Sequence, residues 1–566
     1  MTRTHRCIAA VAFSLLVATT VPLSAQTVTR GPYLQVPTHN SIIIRWRTDQ
    51  PTDSKVSYGT DLNNLSFTAT DTTLTTEHYV QLTGLSPYTK YYYSVGSSSQ
   101  VLSGPANDHY FVTSPLPGTV KPIRVWAIGD FGKANTRQNA VRDAYLNYTG
   151  STHTDVWLWL GDNVYDNGTD QEYQDKVFDN AYYGQVFRYM PFWPCPGNHD
   201  YVSVSPPTAT KDPASPSHTG PYYEIFEMPT AGEMGGVPSG RELYYSFDYG
   251  NVHFISLNSE LGSPFNPSHD WTGARLTGSF TSSPLTEWLH QDLQANTQPW
   301  VIVYFHQPPY TKGSHDSDLF YERYMIAMRE TFVPIFDQYG VDLVLCGHSH
   351  VYERSYLIKG HYGNSSSFDP GTMLVDGSSG IDSLGEAYVK DLTQPNGNEG
   401  TVYVVCGSSG SLETGAALNH PVMFTGYGDK GGSFILDIHG DTLHGRFLNE
   451  SGEILDHFTM YKILPPDTTP TSTAGFAELV KGFQVYPNPF IGEVEVAFHL
   501  LQPAAVVIDL FDIRGRQIKT LYTHAHLHAG KHTLVFHKSD FPANGVFLLR
   551  MTTNGHEYIE RLIKSY

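Results

Sequence analysis

The chain has 566 residues, with 35 Lys+Arg against 55 Asp+Glu, a formal charge of -20 and 13% aromatic residues. At roughly 150 residues per domain this length predicts three to four domains, and the low charged fraction of 16% with 50 Gly and 36 Pro points to a globular, strand-and-turn-rich protein, excluding a disordered chain or a coiled coil. The acidic balance and the absence of any basic run exclude nucleic acid and anionic membranes as electrostatic partners.

Residues 1–25 place Arg3 and Arg6 ahead of an apolar run from Cys7 to Val17, followed by Leu23, Ser24 and Ala25. This is the pattern of a secretory signal cleaved after Ala25; the run is shorter than the about 20 residues of a membrane span. No later segment is long and apolar enough to be an integral membrane segment, so the mature protein is expected to be exported and soluble. Cys7 leaves with the signal. Cys195, Cys346 and Cys406 each sit in an apolar stretch and are expected as buried free thiols, which excludes a disulfide framework.

Residues 26–115 alternate apolar and polar positions in short runs, Ser41–Trp46, Lys55–Gly59, Tyr79–Leu82 and Tyr91–Val95, that read as strands of a small β-sandwich. The Leu85-to-Tyr91 stretch resembles the corner of fibronectin type III-like domains, with Tyr91 bonding back to the backbone.

Residues 116–464 read as apolar strands that end in polar, Gly-containing turns: Ile123–Ile128, Val156–Leu160, Trp300–Phe305 and Val341–Cys346. Helices are expected over Pro284–Gln294, where Leu285, Trp288, Leu289 and Leu293 share a face, and over Asp318–Tyr339. A hairpin-like run over Leu243–Leu257 and a meander over Phe434–Tyr461 add antiparallel character, so this is a mixed α+β region with more than one sheet. Residues 465–480, rich in Pro and Thr, form a linker by composition. Residues 481–566, with alternating runs such as Val506–Asp512 and Gly545–Met551, are expected as a second all-β sandwich.

Five polar clusters follow predicted strands of the central region: Gly129-Asp130-Phe131-Gly132, Gly161-Asp162-Asn163-Val164-Tyr165, Gly197-Asn198-His199-Asp200, Val303-Tyr304-Phe305-His306 and Gly347-His348-Ser349-His350. Strand ends are where open sheets gather ligand-binding groups, and Gly permits the close backbone approach a buried ion needs. Chance alone supplies about 0.1 Gly-His-x-His per chain of this composition, so one cluster decides little. Five in order, offering carboxylate, amide, imidazole and phenol donors, have no comparable structural explanation.

The clusters match, in order, the pattern GDxG, GDxxY, GNH(D/E), VxxH and GHxH, and the region therefore resembles the metallophosphoesterase superfamily and, through Tyr165, the purple acid phosphatases. The resemblance implies a four-layer α-β-β-α sandwich flanked by two all-β domains. It implies a binuclear centre with Asp130, Tyr165 and His350 on one metal, Asn198, His306 and His348 on the second, and Asp162 bridging. Phenolate and carboxylate oxygens favour Fe(III) in the first position, and two imidazoles with an amide oxygen suit divalent Fe, Zn or Mn in the second. Phosphate-monoester hydrolysis would proceed by attack of a hydroxide formed from metal-held water. His199 takes the family's position for a phosphate-contacting, proton-donating imidazole, with Asp200 expected to orient it. His315, a second candidate for substrate contact, falls where plant members carry a His pair; Asp316 takes the second position, which leaves the role of His315 and the substrate preference open.

The N-terminal sandwich resembles the fibronectin-like module that precedes such catalytic domains and is expected near the rim of the site. Residues 485–490, 510–515, 529–532 and 542–547 resemble the type A sorting domain of the type IX secretion system. This implies an outer-membrane secretion machinery as partner and a secreted or cell-surface location in a Gram-negative bacterium. Two alternatives remain: a phosphodiesterase or nucleotide-directed hydrolase on the same centre, and a noncatalytic surface-binding protein with a degenerate phosphatase domain. All seven ligand positions being filled weighs against the latter.

Overall fold

The computed structural model describes residues 26–201, 220–260, 283–464, 480–488, 490–512, 516–542, 545–553 and 556–564. The expected signal and nearly all of the expected linker lie outside the described residues. The chain divides into two compact units, one ending at Pro466 and the other beginning at Asp467.

The first unit opens with six hydrogen-bonded strands around Leu34, Ile42, Ile44, Trp46, Tyr93 and Phe111. The two strands expected over Ser41–Trp46 and Lys55–Gly59 are one strand, Ser41–Gly59. Register shifts between Arg47 and Ser54 let its first half pair with Val28–Gln35 and its second half with Lys90–Gly96, so a single strand serves both faces. Tyr91 closes the expected corner, its hydroxyl accepting from the Ser86 amide at 3.0 Å.

Two seven-stranded sheets follow. In one, Val252–Ser256, Trp300–Phe305, Leu343–Cys346 and Val402–Cys406 run parallel side by side. In the other, Ile123–Ile128, Val156–Leu160 and Phe192–Cys195 do the same. Most of these strands are apolar and buried on both faces because each sheet is covered on both sides, which is why they read as continuous runs of Val, Leu, Ile and Trp. Residues of both sheets belong to one core. The expected meander is present as Gly432–His439, Thr442–Asn449 and Ile454–Ile463. Helices include Thr136–Thr149 and Pro284–Ala295, the latter capped by Ser283.

The helix expected from Asp318 starts instead at Arg323 and runs in three pieces to Tyr339, with a π-turn over Met328–Phe332. Asp316 and Asp318 are drawn to Lys312 at 3.0 and 3.1 Å, which ties the segment before Arg323 into turns. Pro334, lacking an N–H, explains the break at the last piece. Cys195, Cys346 and Cys406 are buried and unbonded, and burial pushes their thiols up. Among the described residues no helix is long and apolar enough to cross a membrane.

The second unit packs a three-stranded sheet (Val480–Tyr486, Glu493–Leu500, Gly530–His537) against a four-stranded one (Gln517–Leu527, Ala504–Asp512, Gly545–Thr553, His556–Lys564). Val494, Val496, Ile508, Leu510 and Leu549 fill the space between them, as the alternation predicts.

Candidate metal centre

Parallel strands end at a common edge, so the turns after Ile128, Leu160, Cys195, Phe305 and Cys346 meet there. Backbone hydrogen bonds stitch them together: Asp130 N–H to the Gly161 carbonyl at 3.1 Å, Gly347 N–H to that of His306 at 3.1 Å, and Ser409 N–H to that of Gly129 at 3.2 Å. Side chains are forced inward by unusual backbone, since Asp130, Asp162 and His348 all have positive φ, at 57°, 48° and 66°. Three such residues of non-glycine type at one site are strain held by the surrounding fold. The glycines are there for room. A Cβ on Gly347 would sit 2.6 Å from Asp130 Oδ2, one on Gly161 would sit 2.5 Å from His306 Nδ1, and one on Gly197 would collide with Asp162.

The first expected set is assembled: the Tyr165 hydroxyl lies 2.7 Å from Asp130 Oδ1 and 3.2 Å from His350 Nε2, and His350 Nε2 lies 3.5 Å from Asp130 Oδ1. So is the second: His306 Nε2 is 3.2 Å from Asn198 Oδ1, 3.3 Å from His348 Nδ1 and 3.4 Å from Asp162 Oδ1. Ligand atoms of Asp130, Asp162 and His306 all fall within 4.8 Å of one another, which joins the two sets through Asp162. His306 Nδ1 donates to the Leu160 carbonyl at 2.9 Å, so Nε2 is the nitrogen that faces the centre.

The electrostatics suit cations. Burial opposes ionisation of Asp162, but His306 and the His199 amide hold its carboxyl below the ordinary value. Burial would lower His306, yet Asp162 and Asp130 raise it to about 10. Burial and the charge of its histidine neighbours push His348 down, and burial together with Asp130 pushes the Tyr165 phenol up. Two buried carboxylates thus draw a proton onto one imidazole, a charge that bound cations would supply instead. The residues present fit a pair of metal ions.

His199, 32% exposed in its side chain, flanks the centre with Nε2 3.9 Å from Asp162 Oδ2 and its ring 4.5 Å from that of Tyr165. Asp200 does not orient it. The Asp200 carboxylate is buried beneath the turn, where it accepts from the amides of Gly197 (2.7 Å) and Asn163, the Asn163 side chain and the Tyr173 hydroxyl. Burial, then Asp162, raises it to about 7. The partner of His199 Nδ1 is the Asp166 carbonyl, at 2.7 Å. His315 does reach the site: its ring stacks on that of His348 with centroids 4.0 Å apart, and Nδ1 lies 2.9 Å from Glu322 Oε1. Asp316, in the position of the second plant histidine, is held by Lys312.

Sequence reasoning missed three contributors. Lys133 places Nζ 3.5 Å from the Tyr165 ring centroid. Glu322 anchors His315. The turn Gly407–Ser411, after the parallel strand Val402–Cys406, closes the back of the centre, with Ser409 Oγ accepting from the Gly129 amide at 3.3 Å and Ser411 N–H donating to the Asp130 carbonyl at 2.9 Å. Its signal, an apolar run followed by Gly-Ser-Ser-Gly, repeats the strand-then-glycine grammar of the other turns.

Residues 123–352 match the calcineurin-like phosphoesterase family, residues 30–113 the purple acid phosphatase N-terminal domain, and residues 484–565 the secretion system C-terminal sorting domain. The chain is similar to purple acid phosphatase 1 of Ipomoea batatas, 28% identical over 345 residues that cover 58% of this chain and 63% of that protein. It is also similar to purple acid phosphatase 15 of Arabidopsis thaliana, 26% identical with 49% of each covered. The chain spans about half the length of the curated relatives it matches. In fold it resembles a purple acid phosphatase from yellow lupin seeds, with TM-score 0.56, 19% identity and 78% of each chain covered. The PhoD structure follows, with TM-score 0.53, 15% identity and coverage of 76% of this chain and 90% of that one. Three matches thus lie in series along the chain, a purple acid phosphatase N-terminal domain, a calcineurin-like phosphoesterase region and a secretion sorting domain, on a fold that resembles a purple acid phosphatase.

Proposed function

We propose that the protein is an exported acid phosphatase that hydrolyses small phosphate monoesters at a binuclear metal centre. The observation that carries this reading is the convergence of seven donor side chains from five strand-end turns onto one buried, doubly carboxylated point. Asp130, Tyr165 and His350 would hold the harder ion, for which ferric iron is the natural match. Asn198, His306 and His348 would hold a divalent Fe, Zn or Mn, with Asp162 between the two. Such ions supply Lewis-acid charge for the ester and a water acidic enough to attack phosphorus.

The chain's own part is positioning and proton supply. Because the Asp166 carbonyl can only accept, His199 Nδ1 must carry a hydrogen, and Nε2 carries one only in the imidazolium form. In that form the ring can give a proton to a leaving alkoxide. His315 offers a second imidazole on the His348 side. The C-terminal sandwich would direct export through the outer-membrane secretion machinery to the medium or the cell surface.

Turnover of a phosphomonoester and its matched diester, in wild type and Asn198→Ala, tests the reading. Monoester preference, lost in the variant, is the expected result; diester preference would reassign the substrate, and unchanged activity in Asn198→Ala would remove the centre from catalysis.

A further inference from the structure

Arg30 and Arg47 are direct cross-strand partners in the N-terminal sandwich. Like charges in that position repel, and the Arg30 side chain is only 1% exposed, so the pair needs an anion between its members. Asp170 supplies it, and Asp170 belongs to the catalytic region. Arg30 Nη1 and Arg47 Nη2 each lie 2.8 Å from Asp170 Oδ1, Arg47 Nη1 lies 2.7 Å from Oδ2, and Arg30 Nη2 donates to the Asp170 carbonyl at 3.0 Å. Arg30 Nε adds a bond to Gln174 at 2.8 Å. The Arg47 fork on the carboxylate, with Arg30 spanning one of its oxygens and the Asp170 carbonyl, fixes direction as well as distance.

Asp170 opens a helix of four residues, Asp170–Tyr173, capped by Thr169. Glu172 and Tyr173 of that helix bond to turns of the metal centre. Glu172 accepts from the amides of Asp166 at 2.7 Å and Asn167 at 3.0 Å, and Asp166 is the residue whose carbonyl holds His199. Lys176 ties Glu172 to the Tyr165 carbonyl. Tyr173 donates to Asp200, which in turn holds the Gly197 amide at the start of the Gly197–Asp200 turn. One short helix therefore touches the sandwich, the Tyr165 turn and the Asn198 turn.

We infer that Arg30 and Arg47 of the N-terminal sandwich are positioning residues of the catalytic centre, setting the His199 ring and the Tyr165 turn through Asp170, Glu172 and Tyr173. The catalytic consequence rests on the phosphatase reading above. The mechanical link does not. The sandwich is then a working part of the site, because it anchors the start of the helical segment Asp170–Phe178 whose Glu172 and Tyr173 reach the turns of the centre.

The test uses the full chain with Arg47→Ala, Asp170→Asn and Glu172→Gln. Asp108→Asn serves as control, because it loosens a different sandwich contact, the one to Arg188. Amide hydrogen exchange over residues 165–176 and 197–201 should rise about tenfold in the three variants, with the control unchanged there. In protein with undiminished metal content, kcat for an alkyl phosphomonoester should fall about tenfold more than for an aryl ester of an acidic phenol, with KM nearly constant. Unchanged exchange, or equal loss on both esters, would overturn the inference. If wild type cleaves neither ester, the phosphatase reading fails, and the exchange result still decides the mechanical link.

Discussion

Single residues carry the most direct consequences. His199→Ala should lower kcat on an alkyl phosphomonoester about a hundredfold and on an aryl ester of an acidic phenol much less, because only the poorer leaving group needs the proton. Equal loss on both esters would show that His199 acts by binding phosphate instead. Gly197→Ala pushes a methyl group into Asp162 and should cost about 1–3 kcal/mol of stability. It should also lower metal content, checked by thermal unfolding and elemental analysis. The role read from motif position and the geometry diverge at Asp200. Asp200 follows His199 in the chain, yet their side chains leave the turn in different directions, one inward to the amides of Gly197 and Asn163, the other toward the Asp166 carbonyl. Sequence adjacency cannot carry that distinction, because it depends on where the Tyr165 turn arrives from another part of the chain. Glu322 was hidden for the same reason: only the turn across Asp316 to Glu322 brings it back to His315.

Elements differ in how plainly their sequences announce them. The parallel strands Ile123–Ile128, Val156–Leu160, Trp300–Phe305 and Leu343–Cys346 were legible as apolar runs ending in polar turns, and the capped helix Pro284–Ala295 as an apolar face. The segment beginning at Asp318 was not, since its apolar spacing is helical while Lys312 and Pro334 impose breaks that periodicity ignores. The hairpin Tyr245–Tyr249 and Val252–Ser256 is locked to the helix Pro284–Ala295 by one imidazole. His253 Nδ1 lies 2.7 Å from Asp248 and Nε2 lies 2.8 Å from Asp292, both at short range and largely out of water. Burial lowers its pKa, but bonds to both carboxylates prevail and raise it from 6.5 to about 9. The folded value exceeds the unfolded one, so this stabilisation is whole below pH 6.5 and is lost as pH rises through about 9. It amounts to about 3 kcal/mol. His253→Gln should lower the melting temperature at pH 6 and flatten its decline between pH 7 and 9; an unaltered slope would remove His253 from the pH dependence.

At the scale of the molecule, the division near Pro466 separates chemistry from the C-terminal sandwich. A chain ending at Pro466 should keep kcat and KM within about twofold while losing export, measured by assay and by fractionation of cells making either form; loss of activity would show that the last domain contributes to the centre. Stripping metal ions should lower the melting temperature of the first unit, since Asp130 and Asp162 then stay buried together with only imidazoles, a phenol and amides to offset them. At a thousandfold excess over Kd the ions contribute about 4 kcal/mol. The series of three matched regions was legible in the sequence because alternating strand-like runs and the motif series occupy separate stretches. The coupling between sandwich and centre was not, because Arg30, Arg47 and Asp170 are ordinary charges until folding brings them together. The most direct test of the central claim is metal content measured together with the visible spectrum of the full chain, in wild type and Tyr165→Phe. Near-stoichiometric iron with a visible charge-transfer band that Tyr165→Phe abolishes is the expected result. A fully loaded, colourless protein with two divalent ions would contradict it, leaving Tyr165 outside the metal's ligands.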